Sequence, residues 1–503
     1  MPELLPHDAH NARLLSQVHP QDWQNPEPIP RYNLVVIGAG TAGLNCAAAV
    51  AALGGNVALI ERHLMGGDCL NVGCVPSKIL IRSAHVLADF HDAEQFGVRS
   101  PTGIEIDFEL AMERMRRLRA RISQHDSAKR FKALGVDVFF GQAQFVARDA
   151  VQVAEATLRF SKAVIATGAR AVTPDIAGLA EVGHLTNETV FNLTQRPQHL
   201  LVIGGGPLGC ELAQAFRRLG SEVTIIQREP QFLPQEEREA AQLLAQAFGR
   251  DGIHVHMDTT VTRVERSAEG KSVHVVREGK ETTLIADEIF VGAGRAPNVE
   301  GLNLEAAGVD YNDKKGIRVN DHLQTSNPRI YAAGDVCLTT KFTHMAEASA
   351  RIVVQNALFH GRKKLSALTV PWCTYTDPEI AHVGLYVHQA HEQNIPVKTY
   401  TVPMNDVDRA IIDGEEGGFV KIHVRASSDR ILGATIVGRH AGEMINEISL
   451  AMVAGIGLKT IGEVIHSYPT QAEAIRRAAD AYNKTRLTPL VKRLTTRWLA
   501  WTR

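Results

Sequence analysis

Two glycine-rich turns, each set between an apolar strand and a helix, constrain the fold of this 503-residue chain more than any other feature. The first has the pattern G-x-G-x-x-G at residues 38–43, and the second repeats the pattern at residues 204–209. The second follows a strand predicted at 199–203 and precedes a helix and a further strand predicted at 222–226. Glycines let such a turn close and let the backbone approach a pyrophosphate, which then faces the N-terminus of the following helix. One copy is weak evidence, but two copies 166 residues apart in the same local context predict two dinucleotide-binding domains.

The residue 18 positions after the last glycine of each fingerprint indicates which nucleotide is bound. In the first copy this residue is Glu61, and an acidic side chain there bonds ribose hydroxyls. In the second copy it is the neutral Gln227, followed by the cation Arg228, a combination that suits a 2′-phosphate. We therefore expect NADPH to be preferred at the second site. The alternative is NADH, with Arg228 as a solvated surface residue.

A redox-active cysteine pair is indicated directly after Glu61. Cys69 and Cys74 are separated by four residues at the start of a helix, where they can form a disulfide across one turn. A helix N-terminus and the nearby Lys78 favour the reactive thiolate. A zinc site is a poor alternative because no second Cys/His cluster accompanies the pair. The whole chain has six cysteines, too few for a disulfide scaffold, so pairing here indicates redox chemistry.

The segment 66–78 and the two fingerprints resemble the class I flavoprotein disulfide reductases, a family that includes dihydrolipoamide dehydrogenase, glutathione reductase and mercuric reductase. The resemblance covers about residues 31–482. It implies an α/β fold with two Rossmann-like domains, for FAD and NAD(P), plus an α+β C-terminal dimerisation domain in a homodimer. The domains expected are an N-terminal extension (1–30), a split FAD-binding domain (31–170 and 295–368), an NAD(P)-binding domain (171–294), an interface domain (369–484) and a basic amphipathic tail (485–503).

The resemblance also implies roles for individual residues. Cys74 would be the thiol against the flavin and Cys69 the interchange thiol that meets the substrate. Lys78 would lie near flavin N5 and pair with Glu211. The cofactor-binding residues expected are Gly38, Gly40, Gly43, Glu61, Gly67, Lys78, Thr167, Gly168, Gly204, Gly206, Gly209, Gln227, Arg228, Gly294, Arg295, Gly334, Asp335 and Ala346. No resident metal site is expected.

The chain departs from the disulfide-reducing members of the family near its C-terminus. Those members carry a His five residues before a Glu, and the His protonates the leaving thiolate in the partner subunit. Here the Glu is Glu473, but the His position is Tyr468. The catalytic residues expected are Cys69, Cys74, Lys78, Glu211, Tyr468 and Glu473. A phenol with a reference pKa of about 10 is a poor proton shuttle at neutral pH. His466, two residues earlier, could substitute only in a rearranged loop and is expected to be structural.

Mercuric reductase also has Tyr at this position, which makes a metal-ion reductase a natural interpretation, since thiolates bind soft cations without an imidazole acid. The C-terminal cysteine pair of mercuric reductase has no counterpart, because the last cysteine is Cys373. The expected acceptor is a metal ion, a quinone or an unusual disulfide, rather than lipoamide or glutathione disulfide. Two alternatives stay open: a disulfide reductase of the dihydrolipoamide dehydrogenase type, and a flavin redox sensor with little turnover.

The net charge and the N-terminal sequence indicate which partners and which cellular location to expect for this protein. The net charge of −1 argues against a nucleic-acid protein held by bulk electrostatics. No secretory signal is visible in residues 1–31, so a cytoplasmic enzyme is expected.

Residues 486–503 hold five cations and no acid, together with Trp498 and Trp501. If helical, this basic amphipathic tail could contact an anionic membrane surface. The alternatives are packing at the dimer interface or a frayed end.

Overall fold

The strand that leads into the first fingerprint lies inside a large sheet. In the computed structural model, which describes residues 3–99 and 105–503, this sheet has seven strands. Five are parallel, in the order Val136–Phe140, Val57–Glu61, Tyr32–Ile37, Ala156–Ile165 and Ile330–Ala332. The long strand Ala156–Ile165 also pairs in antiparallel fashion with Ala150–Val153, which in turn pairs with Ala143–Ala147. The helix Thr41–Ala52 follows the fingerprint, and the helix Thr343–Leu358 packs against it.

The second fingerprint lies in a separate parallel sheet with the same local plan. Its order is His254–His256, Glu222–Ile226, His199–Ile203 and Glu288–Val291, and the helix Pro207–Arg218 follows the glycine turn. An antiparallel sheet of Thr259–Ser267, Gly270–Arg277 and Lys280–Ala286 accompanies it. The short helix Leu179–Val182 packs against the second sheet, and the strand pair Ala169–Ala171 with Arg295–Pro297 connects chain segments on either side of it. The helix Leu304–Ala307 packs in the core of the first sheet instead, as does Ile317 of the strand pair Tyr311–Asn312 with Gly316–Ile317. Two nucleotide-binding sheets were predicted, and both are present.

Helices surround the redox segment, which we define as residues 66–78. It contains the short helix Gly67–Asn71 and the start of the helix Cys74–Asp92. The stretch 107–134 is charged and amphipathic, a pattern that predicts one long helix, but it forms two helices, Phe108–Ile122 and Ala128–Ala133. A 3₁₀ turn, Ser123–Asp126, separates them, and the Ser127 side chain caps the second helix. A further helix, Ala9–Val18, lies in the N-terminal extension, where no periodicity had indicated one.

The chain divides into two compact units. The first contains the residues up to Glu229 together with Ile253–Leu368, and the second contains Pro230–Gly252 and Thr369–Arg503. The predicted domain boundaries remain predictions. Residues 1 and 2 of the predicted extension and residues 100–104 of the predicted FAD-binding domain lie outside the described residues.

The second unit is built on an antiparallel sheet. Its order is Pro371–Thr374, Glu379–Gly384, Ile431–Gly438, Phe419–Arg425 and Val397–Pro403. Its helices are Arg238–Asp251, Val387–Glu392, Asp408–Ile412, Ala441–Ala454, Leu458–Ile461, Glu473–Thr485 and Pro489–Trp501. Apolar side chains of the sheet, such as Val420 and Ile436, form one core with Ile445 and Ile475 of two helices. The mixed α/β architecture is the one expected. Within the described residues, no helix combines the length and apolar character that crossing a membrane requires.

Candidate active site

One cleft in the first unit collects most of the predicted cofactor residues. Parallel strands end at one edge of their sheet, which is where such folds bind ligands. The predicted residues that line this cleft are Gly38, Gly40, Glu61, Gly67, Cys69, Cys74, Thr167, Gly168, Arg295, Gly334, Asp335 and Ala346. The sequence interpretation therefore selected residues that tertiary folding brings together from five separate parts of the chain.

The backbone of the cleft is shaped for close approach by a nucleotide. A Cβ on Gly43 would collide with the carbonyl oxygen of Gly38, so the fingerprint turn closes only with glycine there. Gly67 has φ +57°, and a Cβ on it would lie 2.7 Å from the Cα of Gly40. The redox segment thus lies directly against the first fingerprint, and both line the same cleft.

The polar groups of the cleft also suit a flavin nucleotide. The carboxylate of Glu61 accepts hydrogen bonds from the backbone N–H groups of Ala39, at 2.8 Å, and His63, at 2.7 Å. Burial raises the pKa of Glu61, although these hydrogen bonds oppose the shift. The Nε of Arg295 is buried without a hydrogen-bond partner among the described residues and lies 3.7 Å from a carboxylate oxygen of Asp335. Arg295 also pairs with Asp68. These residues suit the ribose, pyrophosphate and ribityl groups of FAD.

The second fingerprint repeats this arrangement with a neutral side chain. The side-chain oxygen of Gln227 accepts a hydrogen bond from the backbone N–H of Gly205 at 2.8 Å, just as Glu61 does from Ala39. The Arg228 side chain is 79% exposed and pairs with Glu229 at 3.2 Å. Gly204 and Gly206 lie in the turn before the helix, and Gly209 lies in its first turn. The Gly294 carbonyl accepts a hydrogen bond from the backbone N–H of Val172. Arg228 is therefore available to an incoming phosphate only if it leaves Glu229.

The two cysteines have unequal environments. Both are thiols in the structure, and Cys74 is exposed at the cleft while Cys69 is half-buried. A hydrogen bond from Cys69 lowers the pKa of Cys74 to about 6, against the effect of burial, and Thr343 and Lys78 add to the lowering. The same hydrogen bond, followed by burial, raises the pKa of Cys69. In the reduced pair, Cys74 therefore holds the negative charge and Cys69 holds the proton.

Lys78 and Glu211 form an ion pair that joins the redox segment to the second fingerprint. The Lys78 ammonium donates to a Glu211 carboxylate oxygen at 2.7 Å, and Glu211 is buried. Each lies within the first turns of its helix, Cys74–Asp92 or Pro207–Arg218. The pair was expected from the resemblance, and the structure brings the two residues together.

Two residues near the cysteines were missed by the sequence interpretation. The hydroxyl of Thr343, at the start of its helix, lies 3.2 Å from the Cys74 sulfur. A carboxylate oxygen of Asp126 lies 3.0 Å from where a Gly66 side chain would begin, and its charge contributes to the raised pKa of Cys69. Neither belongs to a recognisable motif. Both approach the cysteines only because distant helices converge on the redox segment.

Tyr468 and Glu473 both belong to the second unit, but they have different hydrogen-bond partners. The Tyr468 hydroxyl donates to Asp408 at 2.8 Å, and the ring is 68% exposed. Glu473 accepts from Arg476 at 2.8 Å and from Arg477 at 3.2 Å. His466 lies 2.9 Å from Glu447. Within the described ranges, no group of three or more His, Cys, Asp or Glu side chains could hold a metal ion.

Two nucleotide-binding sheets placed around an asymmetric cysteine pair define a flavoprotein oxidoreductase. Residues 32–350 match the pyridine nucleotide-disulphide oxidoreductase family, and residues 370–479 match the dimerisation domain of that family. The chain belongs to this family. It is an FAD-dependent NAD(P)H oxidoreductase, and the matched dimerisation domain supports a homodimer.

Curated relatives and solved structures agree with this assignment. The mercuric reductase of Lysinibacillus sphaericus is 36% identical over 90% of this chain and 83% of its own length. The dihydrolipoyl dehydrogenase of Thermus scotoductus is 34% identical over 90% of this chain and 98% of its own length. The Cu(II) complex of RclA, an HOCl-induced flavoprotein disulfide reductase from Escherichia coli, has a TM-score of 0.79 and 29% identity, covering 90% of this chain and all of that one.

The unequal cysteines lead to a spectroscopic prediction. Cys74→Ser should lack the long-wavelength charge-transfer absorption, whereas Cys69→Ser should show it without any reductant, because its single Cys74 thiolate then lies beside oxidised flavin and no disulfide is present to take up electrons. Because the pKa of Cys74 is lowered to about 6, the wild-type band should persist as pH falls towards 6 and fade below it, as the thiolate is protonated. The measurement is absorbance from pH 5 to 9, of the wild type after anaerobic two-electron reduction with NADPH and of both variants with oxidised flavin. Equal loss of the band in both variants would show that the two roles are assigned wrongly.

Proposed function

We propose that this enzyme passes electrons from NADPH through its Cys69–Cys74 pair to a soft metal ion or a quinone, rather than to lipoamide or glutathione disulfide. The observation that carries the proposal is Tyr468, which stands where the disulfide-reducing members have a catalytic His. Its hydroxyl donates to Asp408, and that hydrogen bond raises its pKa above the ordinary value of a phenol. Tyr468 is therefore a poor donor for a thiolate leaving group at neutral pH.

The proton and electron balance of the pair fits such an acceptor. Bound FAD supplies hydride transfer from the nicotinamide and two-electron transfer to an adjacent disulfide. Cleavage of the Cys69–Cys74 bond consumes those two electrons and one proton, leaving the Cys74 thiolate and the Cys69 thiol. Re-forming the bond returns two electrons and the proton. One Hg(II), one quinone or two Cu(II) ions accept two electrons; metal ions need no proton, and a quinone can take its protons from water.

The relatives support the choice of a metal ion. Several relatives are mercuric reductases, and a solved neighbour is a Cu(II) complex of RclA. Thiolate sulfur is a soft ligand that suits such cations. In this proposal Cys69 meets the acceptor, Cys74 lies against the flavin, Lys78 and Glu211 set the charge beside the ring, and Tyr468 and Glu473 take no part as a proton relay.

We further propose that NADPH is the preferred donor. Gln227 contributes no negative charge at the second site, and the exposed Arg228 can exchange Glu229 for a 2′-phosphate. An exposed ion pair of this kind is weak, so releasing it costs little, whereas a charge-assisted contact to phosphate is stronger.

We also propose that the C-terminal tail binds an anionic lipid surface. The helix Pro489–Trp501 has no buried residue, and Leu490, Leu494, Trp498 and Trp501 are each more than half exposed. The cations of residues 486–503 complement a negatively charged bilayer, and tryptophan suits the membrane interface. The lipid surface is favoured over a protein partner because the segment carries five cations and no acid.

A panel of acceptors tests the main proposal. NADPH oxidation by the holoenzyme should be fast with Hg(II) in excess thiol, with Cu(II) or with menadione, and slower with glutathione disulfide or lipoamide by a factor of about 10²–10⁴, the usual contribution of a placed general acid. Tyr468→His should raise the disulfide rates or shift their optimum towards neutral pH. Tyr468→Phe is the matched control, since it removes the phenol without adding an imidazole. Wild-type disulfide turnover as fast as metal or quinone turnover would refute the proposal, as would metal rates that survive in Cys69→Ser.

The cofactor proposal is tested by charge reversal. Arg228→Glu should lower kcat/KM for NADPH by roughly tenfold to a hundredfold while leaving NADH little changed, because only NADPH carries the 2′-phosphate. Arg362→Glu makes the same change of charge at another exposed position of the first unit and should alter neither value. Steady-state kinetics with both cofactors provides the measurement. A wild type with equal kcat/KM for NADPH and NADH would contradict the preference.

The tail proposal is tested by vesicle co-sedimentation. Deleting residues 486–503 should leave flavin content and NADPH oxidation unchanged but weaken binding to phosphatidylserine-containing vesicles by at least about tenfold. Wild-type binding should fall as salt rises, because exposed charges are screened. Trp498→Ser with Trp501→Ser keeps every cation and separates the apolar contribution from the electrostatic one. Equal sedimentation of full-length and shortened protein would exclude the lipid surface, and loss of the dimer on deletion would identify a subunit interface instead.

A further inference from the structure

The N-terminal segment, defined here as residues 3–25, lies before the family match at residue 32 but is built into the first unit. Leu14 and Val18 of its helix are fully buried, and Asp8 caps that helix by accepting a bond from Asn11 N–H at 2.8 Å. The backbone N–H of Met65, immediately before the redox segment, donates to the Val18 carbonyl at 3.1 Å. The segment therefore packs against the chain that leads into the cysteine pair.

A buried arginine links this segment to the redox pair. Arg119 is fully buried; its guanidinium donates to the side-chain oxygen of Asn11 at 2.8 Å and to the backbone carbonyl of Asn71 at 2.7 Å. Burial, together with nearby Arg116, lowers the pKa of Arg119 only to about 10, so it stays charged at neutral pH. Arg116 is held in turn by Asp8 at 2.6 Å. Both arginines thus have a partner in the N-terminal segment.

Asn71 is the residue through which this link reaches the cysteines. It ends the short helix that carries Cys69 and lies three residues before Cys74. Its fully buried side-chain amide donates to the carbonyls of Met65, at 3.1 Å, and Gly67, at 2.8 Å, which closes the turn on itself. Because a carbonyl at a helix end needs a donor from elsewhere, the Arg119 contact fixes where this helix ends.

We propose that the N-terminal segment is a positioning element for the redox pair, acting through Asn11 and Arg119 on the carbonyl of Asn71. Asn11 supplies the acceptor that orients the guanidinium. Arg119 then holds the turn between Cys69 and Cys74, so that Cys69 is half-buried and Cys74 faces the flavin site. The inference rests on the proposed roles of the two cysteines, but the contacts that carry it involve neither cysteine side chain.

The test measures the reactivity of Cys69 in the reduced holoenzyme. Asn11→Ala leaves the buried guanidinium without one partner, so the turn should open more often and iodoacetamide should alkylate Cys69 roughly five- to tenfold faster, with a weaker charge-transfer band. Arg119→Lys should act in the same direction, because an ammonium cannot reproduce the two-acceptor geometry of the guanidinium. Asn11→Asp keeps an acceptor for Arg119 and should restore the wild-type rate in large part. Alkylation is followed by mass spectrometry of the Cys69 peptide.

Asn25 provides the matched control within the same segment. Its amide makes two hydrogen bonds to the backbone of Phe140, at 2.9 and 2.8 Å. Asn25→Ala should therefore lower the melting temperature without changing Cys69 alkylation or the charge-transfer band. The inference is overturned if Asn11→Ala and Arg119→Lys lower stability while leaving both readouts at wild-type values, or if Asn25→Ala changes them equally. A wild type without a charge-transfer band would contradict the role of Cys74 instead, and alkylation would still decide the role of the segment.

Discussion

The organisation of the active site depends on the contact between the helices Cys74–Asp92 and Pro207–Arg218. Small and branched side chains, Ile81 and Ala84 on one helix and Ala215 on the other, form a common buried cluster. One turn earlier on each helix, Lys78 and Glu211 make their ion pair. Because the Glu211 carboxylate is buried, losing its Lys78 partner would be costly. The packing and the ion pair together hold the cysteine-bearing helix against the second fingerprint.

That arrangement explains why two chemically identical thiols behave differently. Cys74 lies near Lys78 and Thr343, and both favour its thiolate, whereas Cys69 keeps its proton and lies within the field of Asp126. In the proposed function, this inequality assigns the flavin side to the Cys74 thiolate and exchange with the acceptor to Cys69. The raised pKa of the Tyr468 hydroxyl is the ground on which we propose acceptors that need no proton from it.

The N-terminal segment contacts the redox segment through residues that lie outside the sequence motif of the family. The two cysteines and their intervening residues follow the family pattern, yet the carbonyl between them is held by a buried arginine whose other partner lies before the family match. A buried guanidinium needs its partners fixed, since unsatisfied polar groups are expensive in the interior. Arg119 therefore fixes the position of the N-terminal segment and also that of the turn between Cys69 and Cys74.

Local pattern was sufficient to predict both fingerprints, the strands His199–Ile203 and Glu222–Ile226, the α/β class and the cysteine pair, because turn geometry and thiol chemistry depend on residues near one another in the chain. The resemblance added the pairing of Lys78 with Glu211. The sequence did not reveal Thr343, Asp126 or Arg119. It also did not reveal the helix Ala9–Val18, which buries only three residues, one of them the polar Asn11. The break in the stretch 107–134 was also missed. These features depend on which distant helices meet the redox segment, and only the tertiary structure decides contacts between residues far apart in the chain.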